Sequence, residues 1–185
     1  MPRPHTASRP HQVWAYDFVH DKCNQGHKLR FLTITDEFTR QSLAVVAATS
    51  IQSRHVIEVL ERLFAEHGAP QYLRSDNGPE FVSKAVQQWL KAQGVQTAYI
   101  EPGCPWQNGF AESFHSRFRD ECLDREWFHN VREARVLAES YRRYYNEERP
   151  HSSLNYMTPF EFGAQWRQEQ KVEQYQRPTA AAHTT

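Results

Sequence analysis

The chain has 185 residues, enough for one domain with a small appendage but not for two full domains. Its 22 Lys and Arg are balanced by 22 Asp and Glu. This neutrality excludes a large uniform basic field, although not a local basic groove. Three cysteines without CxxC spacing argue against a zinc finger or a disulfide framework. With no long apolar run and no apolar N-terminal segment, the sequence predicts a cytoplasmic protein.

Three strands are predicted in the first quarter of the chain, after an irregular arm over residues 1–12. Aromatic and β-branched residues are dense in three runs, at 13–19, 28–35 and 42–48. The connections between these runs are short, and neighbouring strands joined in this way pair antiparallel. The pattern therefore predicts an antiparallel meander.

Helices and short strands then alternate. Apolar residues at helical spacing predict helices at 56–64 and 82–90, a third that begins near residue 108, and a fourth over 131–145. Two further strands are predicted, at 71–75 and 95–100. We therefore expect an α/β fold over residues 13–165, in which three antiparallel strands are followed by parallel strands in a mixed five-stranded sheet with helices on both faces. Residues 166–185 are expected to form a polar tail, loose from about residue 170.

Three carboxylates stand at unusual positions. Asp17 lies inside the apolar first strand, where an unpaired carboxylate is costly to desolvate. Asp76 follows the fourth strand, and functional sites collect at strand ends in α/β sheets. Glu112 lies in the first turns of a helix that follows a loop of Pro and Gly. Taken singly, each also has an ordinary interpretation, as a hydrogen-bonded core residue, a turn or N-cap residue, and a first-turn glutamate.

Helical geometry places His115 and Arg119 on the same face as Glu112, since they follow it by three and seven residues. The opposite face carries a stripe that should pack on the sheet: Phe110, Phe114 and Phe118. Converging carboxylates need a cation, because like charges raise one another's pKa, and Mg²⁺ is the usual choice where phosphate is the substrate. Composition and spacing alone reach a candidate metal–carboxylate site, with His115 and Arg119 as phosphate contacts.

The motifs around these carboxylates carry a family resemblance. Asp76 and Glu112 are separated by 35 residues, which with Asp17 resembles the Asp-Asp-35-Glu signature of retroviral integrases and related bacterial transposases. The surrounding segments are VWAYDFV, RSDNGPEF and PGCPWQNGFAESFHSRFRDE, followed by YNEERPHSSLNYMTPFEF at 145–162. Over residues 10–165 the chain resembles the integrase core of insertion-sequence transposases of the IS-three group, OrfB type.

This resemblance implies an RNase H-like fold and a DNA transposase core that nicks 3′ ends and joins them to target DNA. It implies that Asp17, Asp76 and Glu112 are catalytic and hold two Mg²⁺ ions, which Mn²⁺ can replace. It also implies that Asn77 and Gly78 form the turn after the second Asp, and that a mobile loop precedes the Glu. The DNA contacts implied by the family pattern are Asn77, Gln107, Asn108, His115 and Arg119.

The implied partners are transposon-end DNA, target DNA and further copies of the chain in a synaptic complex. Relatives usually carry a helix-turn-helix region ahead of the core, and we expect that region elsewhere, since none precedes Val13. Cys104 stands where relatives often have Lys, so the phosphate contact from that position is not expected. The chain lacks the His-His-Cys-Cys zinc domain of retroviral integrases, which favours the bacterial group.

Two other functions are compatible with the sequence. One is an RNase H-type nuclease without joining activity, and the other is a catalytically silent integrase-like binding or assembly module. The sequence assigns no role to the block at 148–154. The charge is also uneven, since residues 1–35 carry five basic and two acidic groups.

Overall fold

A single five-stranded sheet forms the centre of the protein. The computed structural model describes residues 5–24, 26–76, 83–101 and 104–176. Its strands run in the order β3-β2-β1-β4-β5. Their bounds are β1 (Val13–Lys22), β2 (Lys28–Asp36), β3 (Ser42–Ala48), β4 (Tyr72–Ser75) and β5 (Gln96–Tyr99).

The sheet is mixed, as predicted. β1 pairs antiparallel with β2, and β2 with β3, whereas β1 and β4, and β4 and β5, are parallel. β1 is longer than predicted because its pairing with β2 continues to the end of the hairpin, where Lys22 lies opposite Lys28. β4 pairs with β1 only along Val13–Ala15, so the second half of β1 extends beyond β4.

Five helices surround the sheet, and none in the described ranges is long and apolar enough to span a membrane. Their bounds are α1 (Ser53–His67), α2 (Lys84–Ala92), α3 (Gly109–Phe118), α4 (Val131–Glu147) and α5 (Pro159–Gln176). α3 follows a 3-10 turn at Pro105–Asn108 and continues into a π-helical turn at Arg119–Leu123. A second 3-10 turn lies at Ser152–Leu154.

The prediction of a loose segment from about residue 170 is wrong for residues 170–176, which belong to α5. This helix also crosses the domain boundary that the sequence suggests at residue 165. Two of its side chains explain its position, because the rings of Phe162 and Trp166 lie 5.6 and 5.9 Å from the ring of Phe38. The helix is therefore anchored on the turn that joins β2 to β3.

Apolar side chains are buried on both faces of the sheet, which confirms the predicted layers. On one face the strands pack against α1 and α2 through residues that include Trp14, Tyr16, Ile34, Leu60 and Leu90. On the other they pack against α3 and α4 through residues that include Val19, Phe31, Phe114, Phe118 and Tyr141. The second cluster holds α3 against the face of β1 that carries Asp17.

The block at 148–154, which the sequence leaves without a role, makes structural contacts. Arg149 reaches back to the π-helical turn and donates hydrogen bonds to both carboxylate oxygens of Glu121. Its Nη2 lies 2.7 Å from Oε1, and its Nε lies 2.8 Å from Oε2. The ring of His151 packs edge-on against Tyr145, with 4.5 Å between centroids. The block thereby ties the end of α4 to the continuation of α3.

We expect Arg149→Gln to lower the free energy of unfolding by about 1–2 kcal/mol at pH 7, because a charge-assisted two-pronged hydrogen bond is lost. Arg149 lowers the pKa of Glu121, so this contribution is present above the ordinary glutamate pKa and disappears as the pH falls through the lowered one. Urea unfolding of Arg149→Gln, Glu121→Gln and the double variant, at pH 7 and pH 3, measures the coupling.

The control is Arg143→Gln, which removes an ion pair between Arg143 and Glu139. The side chain of Arg143 is 68% exposed. Exposed pairs of this kind contribute about 0–0.5 kcal/mol. Equal losses from Arg143→Gln and Arg149→Gln would contradict the structural role given to the block.

Candidate active site

Asp17 lies in the middle of β1, opposite Thr33 of β2, and its side chain is 17% exposed. Its Oδ1 accepts a hydrogen bond from the N–H of Phe18 at 2.7 Å, and its Oδ2 accepts one from Nδ2 of Asn108 at 3.0 Å. Burial raises the pKa of Asp17 to about 6, and the charges of Asp76 and Glu112 act in the same direction. Asp17 is thus a half-buried carboxylate near two others.

Asp76 reaches this neighbourhood through the parallel pairing of β1 and β4. Ala15 lies opposite Arg74, so the chain two residues further along each strand brings Asp76 level with Asp17. Asp76 is exposed at the end of β4. Burial raises the pKa of Tyr16, the residue before Asp17 on β1, and the charge of Asp76 acts in the same direction.

Glu112 lies in the first turn of α3 and is exposed. The predicted phenylalanine stripe is confirmed for two of its three members, since Phe114 and Phe118 are buried against the sheet. Phe110 instead is partly exposed, with the guanidinium of Arg40 over its ring at 3.4 Å. Packing of the buried pair leaves Glu112 on the solvent side of α3, near Asp17.

The three carboxylates share one neighbourhood but do not meet at one point. In the described ranges, no group of three His, Cys, Asp or Glu side chains is placed to hold a metal ion. The donor set fits Mg²⁺, which prefers carboxylate oxygens and accepts water in its remaining positions. Asn108 adds an oxygen beside Asp17, since its Oδ1 is buried and has no hydrogen-bond partner among the described residues.

Asn108 and Gln107 are buried in the 3-10 turn before α3. Oε1 of Gln107 accepts a hydrogen bond from the N–H of Glu101 at 3.0 Å, while Asn108 donates to Asp17. These contacts give both side chains positioning roles, and their contact with DNA stays a prediction. The predicted contact at Asn77 and the turn at Gly78 lie outside the described residues.

His115 lies behind Asp17. The hydroxyl of Thr33 donates to the carbonyl of Asp17 at 3.1 Å and lies 2.8 Å from Nε2 of His115. Nδ1 of His115 lies 3.8 Å from Oδ2 of Asp17. Burial, assisted by the charge of Arg119, lowers the pKa of His115 to about 4, so the ring is neutral at pH 7. Its predicted phosphate contact is not tested by this geometry.

Sequence reasoning misses Thr33 as part of the site. The sequence signal that identifies Thr33 is the pairing of the first two predicted strands. A hairpin with its midpoint at residue 25 places residue 17 opposite residue 33. Arg119, in contrast, is predicted from its spacing and from the family pattern, and it lies at the start of the π-helical turn. Its Nη2 donates to the carbonyl of His20 at 3.1 Å, and Nη1 lies 3.7 Å from Oδ1 of Asp124. It therefore borders the second half of β1.

Comparison with known families finds two matches. The first, described as an integrase core domain, covers residues 7–105, and the second, with the same description, covers residues 93–159. A protein of insertion element IS407 from Burkholderia multivorans is 42% identical over 158 residues, which cover 85% of this chain and 57% of that protein. A protein of insertion element IS476 from Xanthomonas euvesicatoria is 39% identical, over 89% of this chain and 47% of that protein. The chain thus spans about half the length of these relatives.

Integrase structures from several viruses share this fold. The catalytic core domain of BIV integrase aligns with a TM-score of 0.64 and 20% identity, over 90% of this chain and 99% of that one. The HTLV-2 integrase catalytic core domain, described as a dimeric form in complex with magnesium, aligns with a TM-score of 0.58 and 17% identity, over 84% of this chain and 98% of that one. These similarities confirm the predicted RNase H-like fold.

Proposed function

Because the chain belongs to the integrase core domain family of insertion-sequence transposases, we propose that it is the catalytic domain of a DNA transposase, a polynucleotidyl transferase of the Asp-Asp-Glu type. It nicks DNA at the transposon 3′ ends and joins those ends to target DNA. The observation that carries this proposal is the placement of three carboxylates: Asp17 in the middle of β1, Asp76 at the end of the parallel neighbour β4, and Glu112 in the first turn of α3.

We propose that Asp17, Asp76 and Glu112 hold Mg²⁺, as two ions that Mn²⁺ can replace. The HTLV-2 core of the same fold is described in complex with magnesium, which supports the choice of metal. When bound, two ions of this kind activate an attacking oxygen and stabilise the leaving oxygen. Asn108 and the N–H of Phe18 hold the Asp17 carboxylate in one orientation, and the neutral ring of His115 closes the space behind it.

Both reactions are direct in-line attacks at phosphorus. In nicking, a water oxygen bonds to phosphorus, the bond from phosphorus to the 3′ oxygen breaks, and that oxygen leaves as the 3′-hydroxyl with a proton from the water. In joining, this hydroxyl oxygen attacks a target phosphodiester, loses its proton, and displaces the target's own 3′ oxygen. A covalent protein–DNA intermediate is therefore not needed, and the residues of the site have only to hold the metal ions and to bind and orient the reacting groups.

Recognition of the transposon ends is proposed to lie outside these 185 residues, in a helix-turn-helix region or a separate chain, since the chain spans about half of its relatives. We propose that copies of the chain assemble on paired ends, as the oligomeric forms described for the HTLV-2 core and for the simian T-cell lymphotropic virus intasome suggest. The reaction takes place in the bacterial cytoplasm, where the chromosome is accessible at the nucleoid.

The test is joining of a pre-nicked duplex, ending in the terminal repeat of the protein's own element, to a target duplex in Mg²⁺. Asp76→Asn and Glu112→Gln are each expected to reduce the joined product by about 10³-fold or more, because each removes a metal ligand. The matched control is Glu61→Gln, which removes an exposed carboxylate from α1 and should leave joining unchanged.

Calorimetric titration with Mn²⁺ separates the alternatives. Metal binding together with joining supports the proposal. Metal-dependent cutting without joined product would instead identify a nuclease, and the absence of metal binding would identify a catalytically silent module. Near-normal joining by Asp76→Asn or Glu112→Gln would contradict the assignment of that residue.

A further inference from the structure

A group of basic side chains lines a cleft at the outer end of β1 and β2. The cleft has a volume of about 830 Å³ and is bordered also by Asp21 and Thr49. We call it the hairpin cleft, and its basic members are His20, Lys22, Lys28, Arg30 and Arg119. It lies apart from the three carboxylates but on the same strand as Asp17.

The register of the hairpin places two lysines opposite one another. Lys22 faces Lys28, and on the same face of the sheet the next pair is His20 opposite Arg30. Like charges directly opposite on paired strands are destabilising. Both lysines are exposed, and in the described part of the chain neither ammonium group has an ion pair. The fold therefore concentrates positive charge here at a cost to its own stability.

Acidic groups near the cleft do not neutralise it. Asp21 uses its Oδ1 to accept a hydrogen bond from the backbone N–H of Lys22, at 2.8 Å. Asp124 lies 3.7 Å from Nη1 of Arg119 and is 59% exposed. The cleft region therefore holds four permanent cations and two carboxylates, whereas the total charge of the chain is zero. The cations belong to Lys22, Lys28, Arg30 and Arg119. The cleft carries a local positive surplus that suits an anionic partner.

The cleft and the candidate active site share β1 and the chain that continues from α3. Arg119 follows the helix that carries Glu112 and bonds to the carbonyl of His20. β4 pairs with β1 only as far as Ala15 and ends at Ser75. The part of β1 that lines the cleft therefore continues past the end of β4, where Asp76 lies. A polyanion bound at His20 and Arg119 would contact β1 three residues after Asp17 and the helical segment seven residues after Glu112.

We propose that the hairpin cleft binds the sugar–phosphate backbone of duplex DNA next to the reacting phosphate, with Lys22 and Lys28 as the outermost contacts. This inference rests on the proposed function, because it takes the carboxylates as the position of the reacting phosphate. Lysine and arginine contacts of this kind hold DNA without reading its sequence. The cleft would then align the DNA segment that flanks the reacting bond.

The test is the double variant Lys22→Gln and Lys28→Gln in the full chain. Its binding to a fluorescent 30-base-pair duplex is followed by anisotropy in EDTA over a series of salt concentrations. We expect affinity at low salt to fall about 10-fold or more, and the slope of log K against log salt to become shallower by about 2, since each phosphate contact contributes about 0.9. The melting temperature should stay equal or rise, because a like-charge pair is removed.

The matched control is Lys84→Gln with Lys91→Gln, which removes the same charge from exposed positions of α2. Its salt slope should equal that of the original chain. Equal losses in both double variants, an unchanged slope in the hairpin variant, or no measurable binding by the original chain would each overturn the proposal.

Binding in EDTA also separates this inference from the proposed function. If the hairpin variant alone loses the salt-dependent binding but no variant joins DNA in Mg²⁺, the cleft stands and the proposed catalysis fails. If joining depends on the carboxylates but binding does not depend on Lys22 and Lys28, the catalysis stands and the cleft fails.

Discussion

Replacing Asp17 by asparagine is expected to stabilise the metal-free protein at pH 8 by about 1–3 kcal/mol, while joining falls by about 10³-fold or more. The stability gain arises because Asp17 is half-buried and repelled by Asp76 and Glu112. Asparagine keeps the shape of the side chain without its charge. The amide of Asn108 can rotate to offer its oxygen to the new NH₂ group, since that oxygen has no other partner among the described residues.

The gain should depend on pH. The pKa of Asp17 is raised from 3.8 to about 6, so the native state binds this proton more tightly than the unfolded chain does. The stability of the original protein therefore falls through this group as the pH rises from about 4 to about 6. The difference between the two proteins should be near zero at pH 4 and complete above pH 7.

Urea unfolding in EDTA at pH 4 and pH 8 measures this difference, with Glu61→Gln, which removes an exposed carboxylate from α1, as the matched control. Addition of Mg²⁺ should stabilise the original protein more than Asp17→Asn, because a ligand that binds only the native state stabilises it. An Asp17→Asn protein that is less stable than the original at pH 8 would show that the charge contributes favourably to the fold, against this interpretation.

The largest loss of stability is expected from Arg74→Met, at about 3–5 kcal/mol. Nε of Arg74 lies 2.8 Å from Oε1 of Glu37, and both side chains are 0% exposed. Removal of the guanidinium leaves the carboxylate of Glu37 buried without its ion-pair partner, which is far costlier than the net value of the pair. In a chain of this length the loss corresponds to a fall of roughly 10 °C in the melting temperature.

The double variant Glu37→Met with Arg74→Met should recover most of this stability, because it replaces a buried ion pair by apolar side chains of similar length. Thermal unfolding of the two single variants and the double variant measures the coupling. A double variant as unstable as Arg74→Met would show that the arginine acts through other contacts, such as its hydrogen bond to the carbonyl of His5 at 3.2 Å.

Much of the sheet follows from local patterns. The third strand is predicted at 42–48 and lies at Ser42–Ala48, because turns bound a short apolar run on both sides. The second half of β1 is less apparent, since residues 20–22 are polar and belong to the strand only through pairing with β2. Local apolarity therefore identifies the buried part of a strand, while register determines how far it continues.

α5 shows a different limit. Its apolar residues do not form a sustained stripe, so periodicity gives little signal beyond Trp166. A start signal is nevertheless present, since Thr158 and Glu161 form a reciprocal capping box. The N–H of Thr158 donates to Oε2 of Glu161 at 2.8 Å, and the N–H of Glu161 donates to Oγ1 of Thr158 at 3.2 Å. Capping residues followed by proline predict the start of this helix better than hydrophobicity does.

The candidate site is predictable where a residue conflicts with its local surroundings. Asp17 is such a residue, because a carboxylate in an apolar strand is costly. The contacts of Asn108 and His115 with this strand depend on how α3 packs on the sheet, which no local pattern specifies. The family pattern identifies both positions, and the structure gives them roles beside the carboxylate.

The π-helical turn at Arg119–Leu123 sets the helical phase of everything that follows α3. A wider turn takes up an extra residue, so the chain leaves it rotated relative to a continuous α-helix. With that rotation Cys122 and Leu123 are buried in the same cluster as Phe118, and Glu121 faces Arg149. Loss of one residue here would barely shorten the helix but would turn Glu121 away by about 100°. The number of residues between Glu112 and Glu121 is therefore constrained by the direction in which Glu121 must face to reach Arg149, and not by the length of the helix.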